Sequence, residues 1–184
     1  GIHRLYGQRP VRVADEHVLA GAGAVVDQGG PTFTPLLSAG EILVLLARRQ
    51  LAPAPVYEVP QVMGPIVAAA GSGPGDLTGA TPTVVARAVL DAVLASGYLP
   101  ARLGPAAGDL TPEAALLLLA SAATGRELPP EPRRQLGLEA IPGVATALDH
   151  VRRYQTWIVH GPRYHIEAIQ QHFLQQCWTL KPAY

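Results

Sequence analysis

Histidine is the residue type in this chain that best fits metal binding or acid–base chemistry. Four of the six histidines lie in the stretch 150–184, as His150, His160, His165 and His172. A helical zinc site prefers two histidines one turn apart, and no pair here has that spacing, so a site would have to be assembled between helices. We keep His150, His165 and His172 as candidate metal ligands, although we expect neither a bound metal nor a cofactor.

The serine and cysteine side chains lack the sequence surroundings of a catalytic nucleophile. The single cysteine, Cys177, follows His172 by five residues, so on a helix the two side chains point in different directions. No serine stands in a Gly-x-Ser-x-Gly motif, and Ser38 and Ser96 fit a helix cap and a helix end. We therefore expect no catalytic residues. One cysteine also excludes an intrachain disulfide and favours a reducing compartment.

Two glycine clusters and three arginine pairs have the composition of anion-binding segments. Gly21-Ala22-Gly23 lacks the third glycine of a dinucleotide-binding loop, because Val26 stands in its place. The cluster at 71–79 lacks the Lys-Ser/Thr pair of a phosphate-binding loop. The arginine pairs at 48–49, 133–134 and 152–153 fit solvated helix ends. None of these segments predicts a nucleotide site.

Large aromatic side chains in the carboxyl half are the candidate interface residues. They are Tyr154, Trp157, Phe173 and Trp178. Aromatic residues make up only 5% of the chain, and Trp and Tyr are enriched at protein interfaces. The alternative is that they fill the core. For Trp157, which lies off the apolar stripe of its predicted helix, the two interpretations are equally supported.

Residues that begin and end helices predict the elements that must position these side chains. Ser38-Ala39-Gly40-Glu41 matches a capping box and predicts a helix from about Ala39 to Gln50. Thr81-Pro82 and Thr111-Pro112 are favoured helix starts, and the glycines at 97 and 125 are favoured stops. The helix from Thr111 is apolar nearly all round and must be enclosed by neighbours.

The helix from Thr81 has one apolar and one polar side. Arg87 and Asp91 stand one turn apart on the solvent side. The residues expected inside or beside the buried face are Val84, Val85, Ala88, Val89, Ala92 and Val93. A further amphipathic helix is predicted from Pro142-Gly143 to about Ile158, and the helical period continues from Ile166 to Cys177.

Proline and glycine divide the rest of the chain. Residues 1–35 alternate in polarity and are interrupted by glycines, which predicts short strands joined by tight turns. The prolines between 51 and 60 predict an extended connector. The predicted fold is mainly α (α+β), with four to six short helices, a small β-containing amino-terminal portion and Pro/Gly-rich connectors. Its parts are an amino-terminal portion (1–50), a connector (51–80), a helical domain (81–178) and a tail (179–184).

Composition excludes several functional classes. The chain has 184 residues with 14 basic and 14 acidic side chains, so its formal net charge is zero. We therefore do not expect nucleic acid as a main partner. Charged residues make up 15%, against about 25% in an average domain, which suits a surface buried against partners. The apolar run at 114–123 is too short to predict a transmembrane segment. The absence of an initiator methionine indicates a processed organellar or polyprotein precursor, or a fragment.

From Pro65 onward the order of elements resembles the amino-terminal domain of a retroviral capsid protein. The segments that carry the resemblance are Pro65-Ile66-Val67, the Thr81-Pro82 helix, the Thr111-Pro112 helix and Tyr154-Gln155-Thr156-Trp157-Ile158-Val159. The resemblance covers under two thirds of the chain and leaves out residues 1–64. It implies a capsid-like helical module.

The function expected from the sequence is a non-enzymatic structural or assembly subunit of a larger multiprotein complex. Apolar helices and long proline connectors favour this hypothesis, since such elements find their partners in other subunits. Two alternatives stay open: a small metal- or ligand-binding enzyme that uses the carboxyl-terminal histidines, and a capsid-like or protein-recognition module.

Overall fold

The computed structural model of the protein describes residues 12–65, 77, 79–128 and 178. Within them, four α-helices share one apolar core and two short strands pair beside it. The elements in chain order are β1 (Arg12–Ala14), α1 (Asp15–Gln28), α2 (Ala39–Leu51), β2 (Val56–Glu58), α3 (Pro82–Ser96), a 3-10 turn (Pro105–Ala107) and α4 (Pro112–Thr124). The predicted mainly α (α+β) fold is confirmed.

Helix α2 begins with the capping box that the sequence predicts. The Ser38 hydroxyl accepts a hydrogen bond from the Glu41 N–H at 3.3 Å, and a Glu41 carboxylate oxygen accepts one from the Ser38 N–H at 2.9 Å. Both residues are fully buried. The hydrogen bonds therefore satisfy polar groups that have no access to water.

Helices α3 and α4 also begin and end as predicted. The hydroxyls of Thr81 and Thr111 accept hydrogen bonds from the N–H groups of the third helical residues, at 3.4 Å in both cases. Gly97 and Gly125 end the helices in the left-handed conformation, with φ values of 75° and 66°. The prediction that α4 is enclosed is confirmed, because every residue from Ala114 to Ser121 is buried.

The prediction of short strands and tight turns in residues 1–35 is wrong over Asp15–Gln28, which form α1. Gly21 lies inside this helix, where an added Cβ would be 3.1 Å from Cγ1 of Ile42 in α2. The glycine therefore permits close helix packing, and that packing outweighs its helix propensity, about 1 kcal/mol below that of alanine. Gly29, with φ of 68°, ends the helix.

The small sheet joins segments that are distant in the sequence. Strands β1 and β2 pair antiparallel, with Val13 opposite Tyr57. The connector predicted from the prolines thus contains a short strand, and the prolines at 53, 55 and 60 lie outside it. These prolines therefore remove no N–H donor from the pairing of β1 with β2 in the described part of the chain. Tyr57 points inward and is 6% exposed, and its hydroxyl accepts a hydrogen bond from the Ala54 N–H at 2.8 Å.

Helix α2 lies between α1, α3 and α4 and contacts all three. Its last turn pairs with the first turn of α1 through Arg49 and Asp15 at 2.7 Å, so α1 and α2 are antiparallel. Its end also approaches the start of α3, where Gln50 donates to Thr83 at 3.5 Å. Arg126 and Asp27, 2.6 Å apart, join the carboxyl ends of α4 and α1. The amino-terminal helices and α3 and α4 thus share one core, while the domain boundaries given above stay a prediction.

None of the described helices combines the length and apolar character needed to cross a membrane.

Two glycines of α1 provide a matched test of the helix packing. We expect Gly21→Ala to lower the free energy of unfolding by about 1–2 kcal/mol, because the new methyl group overpacks against Ile42. We expect Gly23→Ala to raise it by about 0.5–1 kcal/mol, because no described atom outside the surrounding helix backbone lies within 4 Å of the added Cβ and alanine favours the helix. Denaturant unfolding of both variants measures the difference, and equal effects would contradict the close contact of α1 with α2.

Candidate functional site

Three large apolar side chains are exposed at the carboxyl end of α3. Leu94 is 89% exposed, Met63 53% and Tyr98 38%. Single exposed apolar residues are normal in proteins, whereas neighbouring ones mark interaction surfaces. We call these three residues the α3 patch.

The turn after α3 places Tyr98 beside Met63, four residues after Leu94. Gly97 turns the chain, and Tyr98 then pairs with Met63 in an isolated parallel bridge. The Met63 N–H donates to the Gly97 carbonyl at 3.0 Å, and the Leu99 N–H donates to the Met63 carbonyl at 2.9 Å. Leu94 lies in the last turn of α3. These backbone hydrogen bonds fix the positions of Met63 and Tyr98 relative to the end of α3.

Ser96 lies at the same helix end, as its position in the sequence predicts. Its hydroxyl donates to the Ala92 carbonyl at 2.9 Å and accepts from the Tyr98 N–H at 3.1 Å. The side chain therefore supports the turn before Tyr98 and is not arranged as a nucleophile.

The outward side of α3 continues from the α3 patch toward the start of the helix. Arg87 and Asp91 are exposed there, as predicted. Val84, expected beside the buried face, is 41% exposed. The physical reason is that each residue advances about 100° around a helix, so burial of Val85 turns Val84 outward. In the part of the chain that the structure describes, neither Arg87 nor Asp91 forms an ion pair or hydrogen bond through its side chain.

The arginine pair at 48–49 has structural partners. Arg49 makes two contacts with the carboxylate of Asp15, at 2.7 and 3.2 Å, and Arg48 donates to the Glu58 carbonyl at 2.9 Å. The hydrogen bond with Asp15 raises the pKa of Arg49, against desolvation that lowers it. This pair therefore links α2 to α1 and β2. The pairs at 133–134 and 152–153 lie outside the described residues.

Buried polar side chains do not form a catalytic arrangement in the described ranges. Ser38 and Glu41 satisfy each other's backbone at the start of α2. Among the described residues, the Ser121 hydroxyl and the Nδ1 atom of His17 are buried without a hydrogen-bond partner, so no described base contacts Ser121. The Gly21-Ala22-Gly23 cluster lies within α1 and is not a nucleotide-binding loop.

The histidine and aromatic candidates lie mostly outside the described residues. This applies to His150, His165, His172, Tyr154, Trp157, Phe173 and Cys177, whose proposed roles stay predictions. No group of three or more His, Cys, Asp or Glu side chains placed to hold a metal occurs in the ranges described.

Trp178 is the one aromatic candidate that the structure places, and it is 5% exposed within the apolar core. Its carbonyl oxygen would lie 3.0 Å from a Cβ added at Gly40, next to Val62 and Leu99. Within a single chain, Trp178 therefore fills the core and is not exposed as an interface residue would be.

Comparison with known proteins gives no relative for this chain. No protein-family model, no curated protein and no solved structure matches it. The resemblance to a retroviral capsid domain therefore rests on the order of sequence elements alone.

Sequence reasoning did not identify Met63, Leu94 and Tyr98 as surface residues. One signal was present, because Leu94 follows Arg87 and Asp91 at helical spacing on the side already assigned to solvent. No sequence signal placed Met63 beside Tyr98, since that contact depends on a bridge between distant segments.

The burial of Trp178 predicts a large effect on stability. We expect Trp178→Ala to lower the free energy of unfolding by about 3–5 kcal/mol, because it removes a large side chain from the core. The control Leu94→Ala should change it by less than about 0.5 kcal/mol, since that side chain is 89% exposed. Denaturant unfolding measures both, and a loss below about 1 kcal/mol for Trp178→Ala would contradict its place in the core.

Glu113, in the first turn of α4, predicts a pH-dependent effect. Desolvation raises the pKa of its carboxyl, although hydrogen bonds to its own backbone and to Thr111 lower it. A carboxyl whose folded pKa is raised favours folding in its neutral form and loses that contribution as pH rises through the folded pKa. We expect Glu113→Gln to raise the melting temperature at pH 7, and this gain should shrink as the pH falls toward 4. An equal gain at both pH values would contradict the desolvation of Glu113.

Proposed function

We propose that the protein is a non-enzymatic assembly subunit that binds other protein chains through the α3 patch. The observation that carries this proposal is the exposure of Leu94, Met63 and Tyr98 at one end of a packed helical core. The hydrophobic effect favours covering such side chains, and a full leucine contributes about 1.5–3 kcal/mol when buried.

Two further features support a protein partner. The backbone hydrogen bonds between Met63, Gly97 and Leu99 fix the backbone of the patch in the free protein. Binding of a partner therefore loses little backbone conformational entropy there. The zero net charge of the chain gives no general attraction to nucleic acid, which favours partners that present apolar surface.

A pair of substitutions tests the proposal, one inside the α3 patch and one on strand β2. We expect Leu94→Glu to weaken binding of the partner at least about tenfold, because a charged side chain replaces one that the interface buries. The control is Val56→Glu, since Val56 is 50% exposed but lies on β2, away from the α3 patch.

The measurement is the native mass of gently purified particles, with the stoichiometry of each component. A defined complex that Leu94→Glu dissociates and Val56→Glu retains is the expected result. A monomer without a stoichiometric partner would overturn the proposal. Stoichiometric metal that is lost on His165→Ala or His172→Ala would instead support an enzyme or ligand-binding protein.

A further inference from the structure

Four exposed residues form one stripe along α3. Val84, Arg87, Asp91 and Leu94 are separated by three, four and three positions, which keeps them on one side of a helix. All four are exposed, and the residues on the opposite side, Val85 and Val89, are fully buried. We call these four residues the α3 stripe.

The α3 stripe is complementary to its own reversed copy. From the amino end it runs apolar, basic, acidic, apolar; from the carboxyl end it runs apolar, acidic, basic, apolar, with the same spacing. In a two-fold interface the same surface serves both subunits, so each residue faces a fixed partner position. With two antiparallel α3 helices, Arg87 faces Asp91 of the second copy and Val84 faces Leu94 of the second copy.

We propose that a second copy of this chain is the partner, docked on the α3 stripe with the two α3 helices antiparallel about a two-fold axis. This inference rests on the proposed function and names its partner. The symmetry produces two Arg87–Asp91 pairs and two Val84–Leu94 contacts. Two helices packed at the usual 8–10 Å separation bring such side chains within reach of each other.

The charges of the stripe are available for this interface. Neither Arg87 nor Asp91 has a hydrogen bond or ion pair through its side chain within the described residues. Within one helix, an acidic residue four positions before a basic one pairs better than the reverse order. In α3 the arginine comes first, so pairing within the helix is the weaker arrangement and both charges stay available to a second copy.

The same charges select the antiparallel orientation. If the two α3 helices were parallel and related by a two-fold axis, Arg87 would face Arg87 and Asp91 would face Asp91. Like charges placed opposite each other disfavour a register. Only the antiparallel arrangement makes every contact of the stripe favourable.

Charge reversal at the two positions tests the proposal on the full chain. We expect Arg87→Asp and Asp91→Arg each to weaken the dimer about tenfold, which is ~1.4 kcal/mol, because both symmetric pairs become repulsive. An equimolar mixture of the two variants should form a heterodimer of wild-type strength, since every pair is again between opposite charges. The control Glu127→Arg reverses an exposed charge outside the stripe and should leave dimerisation unchanged.

Sedimentation equilibrium measures the dissociation constants, and thermal unfolding confirms that each variant is folded. Rescue in the mixture supports the antiparallel dimer. A wild-type dimer that neither reversal weakens, or a mixture without rescue, would overturn it. A wild-type monomer that binds a different protein through Leu94 would overturn this inference and leave the proposed function standing, whereas a monomer without any partner would overturn both.

Discussion

The enclosure of α2 is the constraint on which the rest of the structure depends. Nine consecutive residues, Ala39–Ala47, are buried, and they include the carboxylate of Glu41. A buried polar group without hydrogen bonds is strongly unfavourable, so the capping box that joins Ser38 and Glu41 makes this burial tolerable. A helix buried along its first nine residues needs neighbours on all sides. The contacts of α2 with α1, α3 and α4 meet that requirement.

Small residues decide how closely those neighbours approach. Gly21 lets α1 pack directly on Ile42, and Gly40 leaves room beside the carbonyl oxygen of Trp178. Both glycines lie inside helices, where their lower helix propensity is unfavourable by about 1 kcal/mol each relative to alanine. Dense packing around α2 offsets this, because protein interiors contain few voids.

The surface features follow from the same core. Since α3 turns Val85 and Val89 toward α2 and α4, its other side carries Val84, Arg87, Asp91 and Leu94 to the surface. The turn at Gly97 then adds Tyr98 and Met63 at the helix end. The α3 patch and the α3 stripe therefore share Leu94, the most exposed large apolar side chain of the described residues. A partner that covers this leucine can contact both surfaces, which is why we place self-association and assembly on the same side of the molecule.

The sequence by itself determined α2, α3 and α4, because their caps are local: Ser38 with Glu41, and Thr81 and Thr111 before proline, form hydrogen bonds within three residues. It also determined the outward position of Arg87 and Asp91, through helical spacing. It did not predict α1, because the role of Gly21 depends on Ile42 in another helix. Only the tertiary structure decided the pairing of β1 with β2, the exposure of Val84 and the contact of Met63 with Tyr98. These features depend on which distant segments exclude water from a residue, and local spacing does not carry that information.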